Sequence, residues 1–387
     1  MRIAITNPYA WPYVRRGSER LLDNLARDLR NRGHSVTVHA MAPKAGIEDR
    51  DGVEYRFMRQ RGRPAPRQFN QLHAFAIRLQ AALASSDAQV VFCLNYFDAY
   101  AALRARARFN KQYRVVFMSV GIPTRAYFRA VPLDAWFMRT VLHHADALLV
   151  LSTFARDCLK RDWHADADVL PPPVETARFA AGPDAPTLPA PQPPCLLFVG
   201  DVDEARKGAA LVCRAFARIR QTSLDATLVF AGRASEARRL ALLAMAGDAA
   251  TREAIVFNGL GQLDELPALF QSASVTVLPS VWEAFGLVLV ESLSAGTPVV
   301  GARHGGIPDI IDNDLVGECF DPAPFDRESH NVDGLVAALL SVLARGKSET
   351  VRAACRTRAE DFSWARLGDS YERRLLDLVA QTPGGTR

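Results

Sequence analysis

Apolar positions recur along the chain in two alternating rhythms. Residues 2–6 (RIAIT) form a short buried-strand run, and a turn-rich stretch follows. Residues 19–32 then set Leu21, Leu22, Leu25, Ala26 and Leu29 at i, i+1, i+4, i+5 and i+8, one face of a 3.6-residue period. Gly33 stops that helix and 35–40 (SVTVHA) returns to a strand, a βαβ opening that implies a parallel sheet. Buried-strand runs continue at 89–94, 114–119 and 147–152, with helical spacers between them. A second series occupies 195–200, 226–232, 254–257, 274–279 and 298–301. Between the two series, 171–194 is proline-rich and reads as an extended linker. The expected organisation is a parallel-sheet domain over 1–170, the linker over 171–194, a second such domain over 195–362 and a terminal helix within 363–387. The pattern at 364–380 either caps the second domain or crosses back to the first. Two such domains leave a cleft between them, and ligands of these sheets bind beyond the carboxyl ends of the strands.

The length of 387 residues agrees with two cores, since one core stops growing near about 250–300 residues. With 49% hydrophobic and 23% charged residues the composition is globular, which excludes a disordered chain, a collagen and a disulfide miniprotein. The net charge of +5 divides unevenly: residues 1–180 hold 27 Lys+Arg against 16 Asp+Glu, or +11, leaving −6 for the rest. The first half therefore favours anionic partners. Its densest stretch, Arg56, Arg59, Arg61, Arg63 and Arg67, reads either as a solvated loop or as a contact for anionic lipid headgroups or a phosphorylated acceptor. No recognition motif accompanies the charge, so nucleic acid is not an expected partner. The six cysteines contain no Cys-x-x-Cys pair and read as reduced thiols. The opening residues lack the apolar core of a signal peptide, and no run of about 18 apolar residues occurs. A cytoplasmic location is expected, with at most peripheral contact at the inner face of a membrane.

The segment 278–309, LPSVWEAFGLVLVESLSAGTPVVGARHGGIPD, carries the most chemistry. A strand ends at Leu278, a turn follows at Pro279 and Ser280, and a helix is expected to begin near Phe285 and Gly286. Its unsatisfied N–H groups and positive dipole end suit a phosphate, and Gly286 lets a ligand approach the backbone. Glu291 follows Glu283 by eight residues, about 80° round and roughly 12 Å along an ideal helix. The two acids thus serve opposite ends of a ligand, unlike the carboxyls of a retaining glycosidase about 5–5.5 Å apart.

These residues resemble a known family. Glu283-x-Phe285-Gly286-Leu287 with Glu291, then Gly296-Thr297-Pro298-Val299-Val300 and Gly305-Gly306-Ile307-Pro308, is similar to the signature of the retaining GT-B glycosyltransferases of family GT4, the group 1 enzymes. Residues 16–20 (RGSER) resemble its GG-x-E-R turn, 32–38 its GHxVxV strand and 171–179 its PNGVDxxRF segment. Residues 200–208 (GDVDEARKG) resemble its G-R…K-G phosphate loop, 256–261 its VxFxGxV strand and 274–280 its ADxxVxPS strand. The resemblance implies an α/β GT-B fold, two Rossmann-like doubly wound parallel-sheet domains facing a cleft. It also implies a nucleoside-diphosphate sugar held by the second domain, as substrate and without a separate cofactor. Glu291 would take the ribose, Glu283 the sugar hydroxyls, and Lys207 with the N–H groups of Phe285, Gly286 and Leu287 the diphosphate. Gly200 and Asp201 belong to the phosphate loop, Arg233, Asn258, Gly259 and Leu260 would flank the base, and Gly17 would approach the donor from the first domain.

Three positions depart from the family pattern. Asp201 replaces the phosphate-loop arginine, with Arg206 beside Lys207 as the candidate substitute cation. Arg16 replaces the first glycine of the N-terminal turn. Ser119 and Gly121 stand where many members carry a histidine, while His143 and His144 read as helix residues. Arg16, Ser119 and Gly121 are the acceptor-side candidates. The implied reaction is retaining, metal-independent sugar transfer to a saccharide or lipid-linked acceptor in envelope or exopolysaccharide assembly, and no Asp-x-Asp triplet offers metal ligands. The rival readings are a GT-B epimerase or phosphorylase and an inactive nucleotide-sugar-binding scaffold.

Overall fold

A computed structural model of the chain describes residues 1–14, 16–60, 69–129, 131–180, 193–222, 225–259, 265–322 and 331–381. Leu260 lies outside the described residues, as do Arg61, Arg63 and Arg67 of the basic stretch and 181–192 of the proline-rich one. The chain divides into two compact units, Met1–Pro173 with Ala365–Arg387, and Val174–Trp364.

The first unit is built on β1 (Arg2–Thr6), β2 (Ser35–Ala42), β3 (Gly46–Arg50), β4 (Val53–Arg59), β5 (Val90–Cys93), β6 (Arg114–Ser119), β7 (Ala147–Val150) and β8 (Asp168–Val169). Their order in the sheet is β3-β4-β2-β1-β5-β6-β7-β8. The pairings are parallel, apart from the antiparallel β3–β4 hairpin. Helix Gly17–Asn31 buries the face that its period predicts, with Leu22, Leu25, Ala26 and Leu29 at 0% exposure. The apolar core joins the sheet to the helices through residues such as Phe75, Leu79, Val91, Phe97, Phe117 and Val141.

Two expectations need correction here. The purely parallel reading missed the β3–β4 hairpin, and Arg56 and Arg59 of the basic stretch are residues of β4. The stretch 171–194 is not extended throughout. Val174 bridges to Ser363, 176–179 form a short helix, and Phe179, 1% exposed, packs edge-on against Phe270 at 5.8 Å. Apolar anchors at Val174 and Phe179 override the local proline signal and bind this segment into the second unit.

The helix Trp364–Ala380 belongs to the first unit. Tyr371 is 1% exposed and its hydroxyl donates to the carbonyls of Pro171 (3.1 Å) and Leu170 (3.4 Å). Arg32 pairs with Asp369 at 2.5 Å and Glu372 at 3.1 Å, and Glu372 also meets His34 at 2.8 Å.

The second unit contains β9 (Cys195–Val199), β10 (Thr227–Ala231), β11 (Ile255–Asn258), β12 (Val275–Leu278), β13 (Val299–Ala302) and β14 (Gly317–Phe320). The order is β11-β10-β9-β12-β13-β14, with parallel pairing between neighbours. The chain reverses its direction of travel across the sheet between β9 and β12, so the loops after these two strands flank the switch point where open α/β sheets bind ligands. Those loops hold Gly200–Gly208 and Pro279–Gly286.

Removing the ring that fastens the terminal helix to the first unit should be severe. Tyr371→Ala is expected to lower stability by about 3–5 kcal/mol, measured by chemical denaturation followed by circular dichroism.

Candidate active site

The loop after β9 is held in place from three sides. Asp201 accepts two hydrogen bonds on one carboxylate oxygen from Arg233, at 2.6 and 3.1 Å, and its other oxygen accepts from the Asp203 amide at 3.0 Å. Asp203 accepts from the amide and hydroxyl of Ser235, at 3.0 and 2.8 Å. Those donated bonds hold its carboxyl below the usual range. Arg238 donates to the Val202 carbonyl at 3.1 Å. Glu204 pairs with Arg206 at 2.6 Å. All three acids of the loop are therefore engaged by the protein itself. The Arg233 guanidinium balances the Asp201 carboxylate charge.

After a 3₁₀ turn over Ala205–Lys207 the loop meets the segment after β12. Lys207 Nζ lies 2.6 Å from Glu283 Oε2, and both side chains are partly enclosed, at 18% and 17% exposure. Arg206 donates to the Trp282 carbonyl at 2.8 Å, and the Arg206 carbonyl accepts from the Val281 amide at 3.1 Å. Arg206 is thus committed to bracing the neighbouring loop and to Glu204.

The helix of this segment is Leu287–Ser294, capped by Gly286 at φ 111°. A side chain is strained at that φ, which explains glycine there. The helix thus starts where the sequence places it, directly after Gly286, and Glu283 lies in the loop before it. The ideal-helix relation between Glu283 and Glu291 does not apply. Phe285 is 2% exposed and packs on Phe362 at 5.4 Å, which fixes the turn before the helix, and the Leu289 amide closes the first turn on the Gly286 carbonyl at 2.8 Å. Beneath the turn, Gly305 and Gly306 approach so closely that a Cβ on Gly305 would lie 1.8 Å from the Glu283 carbonyl oxygen. The Gly306 amide donates to that same oxygen at 3.1 Å.

Glu291 sits within this helix at 1% exposure. Asn258 ends β11, where its carbonyl accepts from the Gly232 amide at 3.0 Å. Gly259 follows with open space where its side chain would be. His304 is half-buried near Trp282 with ring centroids 6.4 Å apart, and burial pushes its pKa below the usual imidazole value. Among the described residues no group of three or more His, Cys, Asp or Glu side chains is arranged to hold a metal ion.

In the first unit, Arg16 is the N-cap of helix Gly17–Asn31, which begins at Gly17. Its guanidinium lies over the Tyr9 ring at 5.4 Å and 3.7 Å from buried Glu19. Ser119 ends β6 at 8% exposure and its hydroxyl donates to the Gly121 carbonyl at 3.4 Å. Gly121 has open space on its side-chain side. His143 and His144 close the helix Pro132–His144 and are exposed.

Sequence reasoning missed Asp203, Ser235, Arg238 and the pairing role of Arg233. Ser235-Glu236 is a readable helix start, and Ser235 does cap Glu236–Met245. Its partnership with Asp203 spans 32 positions and leaves no local trace.

A profile described as "Glycosyl transferases group 1" matches residues 184–359, and one described as "Glycosyltransferase Family 4" matches 15–178. The chain belongs to this glycosyltransferase family. It is 30% identical over 260 residues to a D-inositol 3-phosphate glycosyltransferase of Mycolicibacterium gilvum, covering 64% of this chain and 56% of the relative. It is 31% identical over 253 residues to a glycogen synthase of Mycobacterium tuberculosis, covering 63% and 56%. The chain thus spans little more than half the length of these relatives. By structure it is similar to a sucrose-phosphate synthase from Thermosynechococcus elongatus, with TM-score 0.82 at 19% identity over 98% of this chain and 100% of that one. The Anabaena HepE protein in complex with UDP and glucose superposes with TM-score 0.73 at 14% identity, covering 97% and 99%. The fold of this family member is therefore GT-B, two α/β units as its motifs implied, the first on a mainly parallel sheet with one antiparallel hairpin and the second on a parallel sheet.

The glycine platform makes a sharp prediction. Gly305→Ala is expected to push the Glu283 turn away from Lys207 and to lower stability by about 1–3 kcal/mol, read from denaturant midpoints.

Proposed function

We propose that the protein is a retaining transferase that moves a hexose or related sugar from a nucleoside diphosphate to a saccharide or lipid-linked acceptor, in envelope or exopolysaccharide assembly. The observation that carries this reading is the Lys207–Glu283 ion pair at 2.6 Å, with Glu283 in the turn four residues before helix Leu287–Ser294. A diphosphate gains charge as the glycosidic bond breaks, and a cation and a helix N-terminus preorganised there are worth most at that moment. The ammonium would neutralise the departing phosphate, while Glu283, released from it, would accept hydrogen bonds from the sugar hydroxyls.

Glu283 is engaged by Lys207 and Glu291 is enclosed, so neither is suited to attack the sugar as a nucleophile. This favours attack by the acceptor oxygen on the face that the diphosphate leaves. A C–O bond forms to the acceptor as the sugar–phosphate bond breaks, and the acceptor proton passes to the departing phosphate oxygen. The reading assigns charge neutralisation to protein groups in place of a metal. Arg206 then acts as a positioning residue, through Trp282. Of the three departures that favour an inactive scaffold, Asp201, Arg16 and the missing histidine, the first is lessened by the Asp201–Arg233 pair. HepE holds UDP and glucose, which makes UDP the first nucleotide to test. The expected location is the cytoplasm, where such donors are made.

A thermal-shift series against UDP, GDP, ADP, TDP and CMP, with and without Mg²⁺, should show a shift with one diphosphate that does not require the metal. No shift with any would oppose the transferase. Lys207→Ala should keep the fold and lower turnover by about 10²–10³-fold; near-normal turnover would remove Lys207 from this role.

A further inference from the structure

The helices Phe69–Ala84, Tyr96–Arg108 and Pro132–His144 of the first unit pack against one another. Their charge is one-sided. Between Ala88 and Ala145 the only acidic residues are Asp98 and Asp134, and both are buried, at 0% and 5% exposure. Asp134 accepts from the Tyr96 hydroxyl at 2.7 Å. Arg125, Arg129 and Arg139 are exposed along the same stretch. On the adjoining helix Thr153–Trp163, Asp162 is already taken by the Arg125 amide at 2.9 Å and the Arg161 side chain at 2.8 Å.

Among these cations stand three large side chains exposed to water, Tyr127 at 58%, Leu133 at 48% and Trp136 at 52%. Leu133 and Trp136 are three positions apart on one helix and share a side of it. The Trp136 ring is seated by Tyr100 at 5.4 Å and Phe137 at 5.3 Å, and Tyr127 rests edge-on against Phe128 at 5.1 Å. These rings are fixed in place and still presented outward. Exposed apolar groups with a basic rim mark an interaction site. Aromatic side chains suit the headgroup layer, and arginine stems reach its phosphates while the guanidinium stays hydrated. An anionic bilayer meets both halves of this surface at once.

We propose that this face is a docking surface for anionic phospholipid, seated by Trp136, Leu133 and Tyr127 and held by Arg125, Arg129 and Arg139. Of the described residues of the basic stretch, Arg56 is already paired with Glu54 at 2.5 Å and is not part of this surface. It stands independently of the transferase reading. Among the described residues no helix is long and apolar enough to cross a membrane, so contact here would be peripheral.

The test is cosedimentation of the full chain with vesicles of phosphatidylcholine alone or mixed with phosphatidylglycerol, at low and high salt. Binding is expected only to the mixed vesicles, weakened by salt. It should be accompanied by a blue shift of the Trp136 emission, isolated by subtracting the spectrum of Trp136→Phe. The double variant R129Q/R139Q should lower the partition coefficient about 25-fold, and W136A/L133A about tenfold or more, both with unchanged melting temperatures. Equal binding to the two vesicle types, no binding at low salt, or variants that bind like the wild type would each overturn the proposal. So would Trp136-dependent self-association in sedimentation velocity without vesicle binding, which would assign the face to a second copy of the chain. Vesicle binding is read without nucleotide and the nucleotide shift without vesicles, so the two readings fail separately.

Discussion

The second unit's site depends on the seam between the loops that follow β9 and β12. These strands are neighbours in the sheet, so their loops leave it side by side at the switch point. The Lys207–Glu283 pair and the Arg206–Trp282 and Val281–Arg206 hydrogen bonds join them into one surface. The seam orients Lys207, holds Glu283 clear of the helix, and lets Phe285 pin the turn from behind. Each loop also has its own braces, Arg233 and Ser235 on the first and Phe362 and Gly306 on the second. Joined, they hold the Lys207 ammonium against the turn that leads into helix Leu287–Ser294.

Much of the fold was legible because buried parallel strands read as short apolar runs. β1, β9 and β12 are of this kind, and the Leu22–Leu29 period marked the first helix. The hairpin at Gly46–Arg59 was missed because β3 exposes nearly every residue and so has no apolar rhythm. Its Asp51-Gly52 turn, with both residues at positive φ, is a hairpin signal that was present and unused. Val174 and Phe179 were hidden by the prolines around them, since composition reports an average and burial depends on single anchors.

For the site, motif spacing located Lys207, Gly286 and the two glutamates, while the use made of each charge needed the fold. Asp201 reads in sequence as a misplaced acid. Arg233, 32 positions later, neutralises it. Arg206 reads as a spare phosphate ligand, whereas its two terminal nitrogens contact the Trp282 carbonyl and Glu204. Pairings at such separations are properties of sheet order and cannot be recovered from neighbours along the chain.

The return of helix Trp364–Ala380 to the first unit bears on how the protein is made. The second unit is one continuous run, Val174–Trp364, whereas the first is completed only by residues from Ala365 onward. A ribosome adding about 5–20 residues per second takes on the order of 10–40 s to cross the intervening run. During that interval the groove destined for Tyr371, lined by Phe92 and the Leu170 and Pro171 carbonyls, has no occupant. The unit that is translated first is therefore finished last, and nascent chains halted before Ala365 carry an incomplete first unit beside a second unit whose sequence is already whole.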